Sequence, residues 1–132
     1  MGAKWRVYPE LAASGLWTTP TDLARFAIEI QLSVQGKSNK VLSPKMARDM
    51  ITTVGVGPYA CKLSIEKRGE GWYFSHGGAN WGFRANMIAH LSKGYGAVIM
   101  TNADRRSILI EELLARVASA YHWDSLHKSI RR

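Results

Sequence analysis

The sequence predicts an α+β domain: an antiparallel sheet with helices flanking it on its N-terminal and C-terminal sides. Apolar residues recur at helical spacing over about 20–35 and 44–52, and again over about 104–122. Between them, over about 58–101, the period shortens to that of strands, and the segments are joined by short turns, several carrying glycine. Strands joined by such turns must be antiparallel, because parallel neighbours need long crossovers. Helices placed before and after a sheet pack against its faces.

Residues 1–17 read as irregular. In "TTPTDLARFAIEIQL" Thr19 is placed to cap a helix, Pro20 to open its first turn and Asp22 to answer the cap three residues on. Leu23, Phe26, Ala27, Ile30 and Val34 then share a face, and Gly36 closes the segment. "LSPKMARDMI" repeats the chemistry with Ser43 and Pro44, and puts Met46, Ala47, Met50 and Ile51 on one face. "YACKLSIE" alternates loosely, "KRGEG" is a turn, and "WYFSH" is an aromatic-rich strand that ends at His76, against a tight glycine pair. "FRANMIAHL", the turn "SKGY" and the apolar "GAVIMTN" follow. In the last helix Ile110, Leu113, Leu114, Val117, Ala118 and Tyr121 form one wide apolar face.

The 132 residues, 46% hydrophobic and 21% charged, read as a single globular unit. The net charge of +8 raises the question of nucleic acid. Basic residues are scattered, however, with clusters only at Lys67-Arg68, Arg105-Arg106 and the tail Lys128, Arg131 and Arg132. No helix carries a basic stripe and no aromatic-basic pattern is present, so no specific nucleic-acid binding is expected. No apolar run approaches the roughly 20 residues of a membrane span, and no secretory leader is visible. The single cysteine, Cys61, excludes an internal disulfide and reads as a small core residue. His76, His90, His122 and His127 lack the pairing of metal ligands, so no metal or cofactor is expected, and the last two read as surface residues.

The stretch "FSHGGANWGF", residues 74–83, carries the most chemistry. Beside a tight turn, His76 reads as a structural histidine. Equally, Gly77 and Gly78 would let a substrate approach the backbone, where a free N–H stabilises a developing oxyanion. Trp81 fits either a pocket wall or turn packing. A nucleophile is harder to find. Ser-x-x-Lys occurs at Ser64–Lys67 and at Ser125–Lys128, but neither opens a buried helix, and no G-x-S-x-G elbow exists.

Taken together, "ASGLWTTPTDLARF", "LSPKMARDM", "FSHGGANWGFRANMIAHLSKGYGAVIMTN" and the closing helix resemble the C-terminal part of the beta-lactamase-related serine hydrolases. These include class C beta-lactamases, penicillin-binding-protein-like peptidases and family VIII-type esterases. The resemblance runs from about Tyr8 to Trp123 and implies a partial serine beta-lactamase/transpeptidase-like fold. It also implies a small-molecule ester, amide or beta-lactam substrate and an acyl-enzyme. In that family the site combines Ser-x-x-Lys, a Tyr-x-Asn-like motif, and Lys-Thr-Gly or His-x-Gly on an edge strand. His76-Gly77-Gly78 matches the third. The match implies that His76 orients or polarises substrate, that Gly78 belongs to the motif, and that the Ala79 N–H is one oxyanion donor. Gly77, Asn80 and Trp81 would line the substrate side.

The first two motifs have no counterpart here: Tyr8-Pro9-Glu10 lacks the amide, and Tyr59 and Tyr73 fail as well. Acyl transfer then has no first step, and the chain alone is expected to be an inactive C-terminal segment of a serine hydrolase. In the family fold, N-terminal strands join the same sheet. Without them an unpaired edge and an exposed apolar face are expected, favouring self-association or a complementing N-terminal chain. The alternative function is a non-catalytic binding or complementing module.

Overall fold

The structure is a computed structural model that describes residues 9–103 and 108–124. Helices α1 (Leu11–Ser14), α2 (Pro20–Val34) and α3 (Pro44–Ile51) precede four strands: β1 (Ser64–Arg68), β2 (Gly71–Asn80), β3 (Phe83–His90) and β4 (Gly96–Thr101). Helix α4 (Ile108–Ala120) closes the order. The strands form one antiparallel sheet in the order β1-β2-β3-β4, with helices on both faces.

The caps take the form the sequence announces. Thr19 Oγ1 accepts the Asp22 N–H and donates to the Asp22 carboxylate, and Ser43 Oγ accepts the Met46 N–H. At the end of α2, Lys37 N–H reaches Leu32 O and Gly36 N–H reaches Ser33 O, with Gly36 left-handed at φ 73°. Ala27 and Ile30 of α2 meet Ile65, Phe74, Met87 and Ala89 on one face of the sheet, with Leu23, Phe26 and Val34 beside them. On the other face, Tyr73 and Ile88 pack with Leu114, Ala118 and Trp123.

Several expectations change. Residues 11–14 form a helical turn inside the stretch read as irregular. The first strand begins at Ser64 rather than near 58. Before it, Ala60 N–H bonds Leu63 O, and this turn leaves Cys61 exposed at its corner rather than in the core. Gly77 and Gly78 are not a turn. They lie inside β2, paired with Asn86 and Ala85 of β3, and the turn falls at Trp81-Gly82, where Gly82 takes φ 82°. The helical faces are narrower than their apolar stripes: Met46, Leu113 and Tyr121 are exposed, and the buried residues are Ala47 in α3 and Ile110, Leu114 and Ala118 in α4.

Candidate functional site

The β2 strand outruns its neighbour. Its register with β1 ends at Ser64↔Ser75, whereas its register with β3 continues to Asn80↔Phe83. Residues 76–80 are therefore a free sheet edge on the β1 side among the described residues. Antiparallel strands turn alternate residues' backbone groups to opposite sides. Leu91 N–H bonds Trp72 O, so Trp72, Phe74, His76, Gly78 and Asn80 spend theirs on β3. Gly77 and Ala79 direct their N–H and C=O groups outward, to the free edge.

Side chains alternate across the sheet by the same parity. His76, Gly78 and Asn80 stand on the α2 face with Phe74, while Gly77 and Ala79 stand on the α4 face with Tyr73. His76 to Ala79 are all exposed. Neither glycine is demanded by the fold. Both have ordinary extended φ, and a methyl on Gly77 or Gly78 would approach nothing nearer than Ala85, at 3.9 and 3.7 Å. The space above them is open.

Three side chains frame this edge, of which the sequence reading singles out Asn80 but not Trp17 or Arg84. Trp17, between α1 and α2, meets Phe83 edge to face with ring centroids 6.0 Å apart. Asn80 Nδ2 makes a long 3.4 Å contact to Ser14 O, which draws the same segment to the hairpin. Arg84 Nη1 donates to Asn80 O at 2.6 Å and to Phe83 O at 2.8 Å, and so clasps both strands of the hairpin. An isolated sequence carries no signal for such clasps, because they depend on the register. Trp81 is exposed at the hairpin tip, about 16 Å along the strand from His76 at the usual rise per residue. It is therefore not brought beside His76.

Of the two Ser-x-x-Lys matches only the first lies among the described residues, and its geometry is not that of an activated serine. Ser64 and Lys67 lie in β1, where positions three apart face opposite sides, and Ser64 Oγ donates to Glu66 Oε1 at 2.9 Å. Ser125, Lys128, His127 and Tyr8 lie outside the described residues. Tyr73 is fully buried, with its phenol held above its usual range by burial first and by the Asp124 charge.

The densest polar cluster lies at the other end of the sheet. His90 is buried between Tyr73 and Tyr95, both 5.0 Å away by ring centroid, and Tyr95 stacks on Trp123 at 5.0 Å. Asp124 receives the Lys93 ammonium and the Tyr95 hydroxyl, and these bonds hold its carboxyl below the usual range. Burial pushes the Tyr95 phenol up. This cluster joins the end of α4 to the β3–β4 turn. Among the described residues no group of three or more His, Cys, Asp or Glu is placed to hold a metal, and no helix is long and apolar enough to cross a membrane.

Among solved structures the chain is similar to SurE, crystallised with D-Leu. The TM-score is 0.69 at 22% identity, over 86% of this chain and 28% of that one. The likeness is one of fold, and this chain spans little more than a quarter of that protein's length. No curated protein matches it. The profile of the Beta-lactamase family matches residues 1–120, almost the whole chain. The four-stranded antiparallel sheet with helices on both faces is consistent with a partial α+β fold of that kind, and the chain belongs to the Beta-lactamase family.

Proposed function

We propose that this chain supplies one wall of an acyl-transfer site in a serine hydrolase acting on ester, amide or beta-lactam bonds. The observation that carries the reading is the free edge at 76–80. It combines an exposed histidine, two glycines that no packing demands, and outward-facing N–H groups at Gly77 and Ala79. A carbonyl laid along this edge meets a preorganised donor at Ala79, with His76 and Asn80 on the α2 face to hold the remainder of the substrate. Donors fixed by a strand need no reorganisation as charge develops, and loss of one such donor costs on the order of 10²–10³ in rate.

Among the described residues no serine stands in a usable nucleophile geometry, and on this reading the chain by itself does not turn over. The test is hydrolysis of a chromogenic cephalosporin, a p-nitrophenyl ester and, because SurE was crystallised with D-Leu, D-leucine p-nitroanilide. The chain alone is expected to be silent. Co-expression with any reading frame immediately upstream that encodes Ser-x-x-Lys is expected to give turnover that His76→Ala lowers. Turnover by the chain alone that survives both Ser64→Ala and Ser125→Ala would overturn the inactivity.

A second reading, a complementing module without chemistry of its own, is favoured by the apolar surface around the sheet. Leu16, Trp17, Val54, Val56, Tyr59 and Trp81 are each more than 60% exposed. Such a surface favours association with another polypeptide, and light scattering after size exclusion would show a clean monomer if it does not.

A further inference from the structure

We propose that Arg84 is a positioning residue for the oxyanion donor at Ala79: its guanidinium locks the tip of the β2–β3 hairpin, so that the outward Ala79 N–H keeps its aim. The inference deepens the acyl-transfer reading and rests on it for the role of Ala79. It starts from how little else holds that residue. Ala79 spends neither of its backbone groups on β3, and β1 pairs with β2 only as far as Ser75. Gly77 and Gly78 precede it, and glycine is the residue least restrained by its own sterics. The turn that follows adds no rigidity. Gly82 takes φ 82°, but Trp81 does not take a positive φ. The primed turns that match the twist of paired strands need a positive φ at the first position. The Trp81-Gly82 turn therefore tends to splay β2 from β3 close to the donor.

Arg84 opposes this splaying. It is the register partner of Ala79 in β2 and of Thr101 in β4, so its own backbone is held inside the sheet. Ala79↔Arg84 is a pair without mutual hydrogen bonds, and in such pairs the side chains stand closest. The Arg84 stem thus leaves the sheet beside the Ala79 methyl, on the α4 face that Ile88 shares by parity. From there Nη1 turns back over the hairpin and donates to Asn80 O at 2.6 Å and to Phe83 O at 2.8 Å. Asn80 and Phe83 are the last pair of the ladder. One nitrogen bound to both carbonyls closes the ladder where the turn would open it, one residue beyond the donor. Hydrogen bonds from a charged donor are about twice as strong as neutral ones. Placed over the turn rather than over the free edge, the guanidinium acts on substrate through the aim of Ala79 and not by contact.

Both bonds come from one nitrogen, so a lysine ammonium can replace them, whereas methionine keeps the stem and removes the donor. Arg84→Lys and Arg84→Met are compared with the unaltered protein, and Arg84→Gln replaces the methionine variant if circular dichroism shows that one unfolded. In the intact chain, NMR relaxation of the backbone amides reads Ala79 directly. Its order parameter is expected at about 0.85 in the unaltered chain and in Arg84→Lys, and below about 0.6 in Arg84→Met, with Phe74 and Ile88 unchanged. In the enzyme complemented by its upstream frame, Arg84→Met is expected to lower kcat by about tenfold or more with KM within about twofold. Arg84→Lys should restore most of that kcat, a pattern that a general loss of stability would not produce. An Ala79 amide as rigid in Arg84→Met as in the unaltered chain overturns the proposal. So does a loosened Ala79 with unchanged kcat, or a raised KM at unchanged kcat, which would put Arg84 against the substrate. A loosened Ala79 together with silent complementation bears out the clasp and removes the acyl-transfer reading instead.

Discussion

His90 Nε2 lies 2.9 Å from Asp124 Oδ2, while Nδ1 of the same ring accepts the N–H groups of both Ser92 and Lys93. Two donors aimed at Nδ1 leave no place for a proton there, so the ring is neutral with its hydrogen on Nε2. The Nε2–Asp124 approach lacks the direction of a good hydrogen bond and acts as a charge–dipole contact. Burial depresses the His90 pKa below its ordinary 6.5, and the Asp124 charge opposes this without reversing it.

A pH dependence follows. A histidine with a depressed folded pKa binds more protons unfolded than folded, so its contribution is complete above 6.5 and is lost as pH falls below it. Asp124, also depressed, keeps its contribution above 3.8 and loses it as pH falls through its folded value. Urea midpoints are expected to be flat at neutral and mildly alkaline pH and to begin falling below 6.5, well before the carboxylates titrate. In His90→Gln the limb that begins below 6.5 should disappear. If both proteins show the same limb, another group is responsible.

Gly71 sits over this contact. A β-carbon there would lie 2.6 Å from Asp124 Oδ2 and 2.8 Å from His90 Nε2, in a site where neither side chain has room to move. Gly71→Ala is expected to destabilise by about 1–3 kcal/mol, the usual cost of overpacking. The measurement is the denaturant midpoint, and the exchange of Trp123 N–H, which bonds Ala118 O at 2.8 Å, should accelerate with it.

His122 makes the turn that brings Trp123 and Asp124 back to the sheet. It holds φ 55°, the left-handed position at the end of α4, where glycine is the usual residue. His122 is exposed. His122→Gly relieves a conformation that costs an ordinary residue about 1 kcal/mol, offset in part by the greater entropy of the unfolded chain. A small rise in melting temperature is expected, and a fall would mean that the imidazole has a partner of its own.

These residues show where the sequence is legible. Thr19-Pro20 and Ser43-Pro44 declare two helix starts because capping is local chemistry, complete within four residues. The strands are legible from alternation and glycine turns, although a turn at Ala60–Leu63 mimics alternation ahead of the true start of β1 at Ser64. Gln31 lies in the apolar stripe of α2, yet it is buried and donates to His90 O at 2.7 Å and Tyr95 O at 3.1 Å. Nothing near it in sequence announces those carbonyls. The His90–Asp124 contact is equally invisible, since it exists only once α4 has folded back. At the candidate site "HGG" was legible as chemistry but not as geometry. The glycines suggested a turn, and only the pairing with β3 shows a strand edge.

That correction separates stability from function at Gly77. A glycine inside a strand is costly, and alanine there would meet nothing closer than Ala85 O at 3.9 Å. Gly77→Ala is therefore expected to hold or raise stability, by up to about 0.5–1 kcal/mol, as read by urea unfolding. The outward N–H is unchanged, but the added methyl stands at the free edge beside Ala79, where a substrate would lie. In a complemented enzyme the expected result is unaltered or higher stability with kcat/KM reduced by tenfold or more, on the order of 1.4 kcal/mol in the barrier. Full activity in a stabilised Gly77→Ala protein would mean that this edge does not face the substrate.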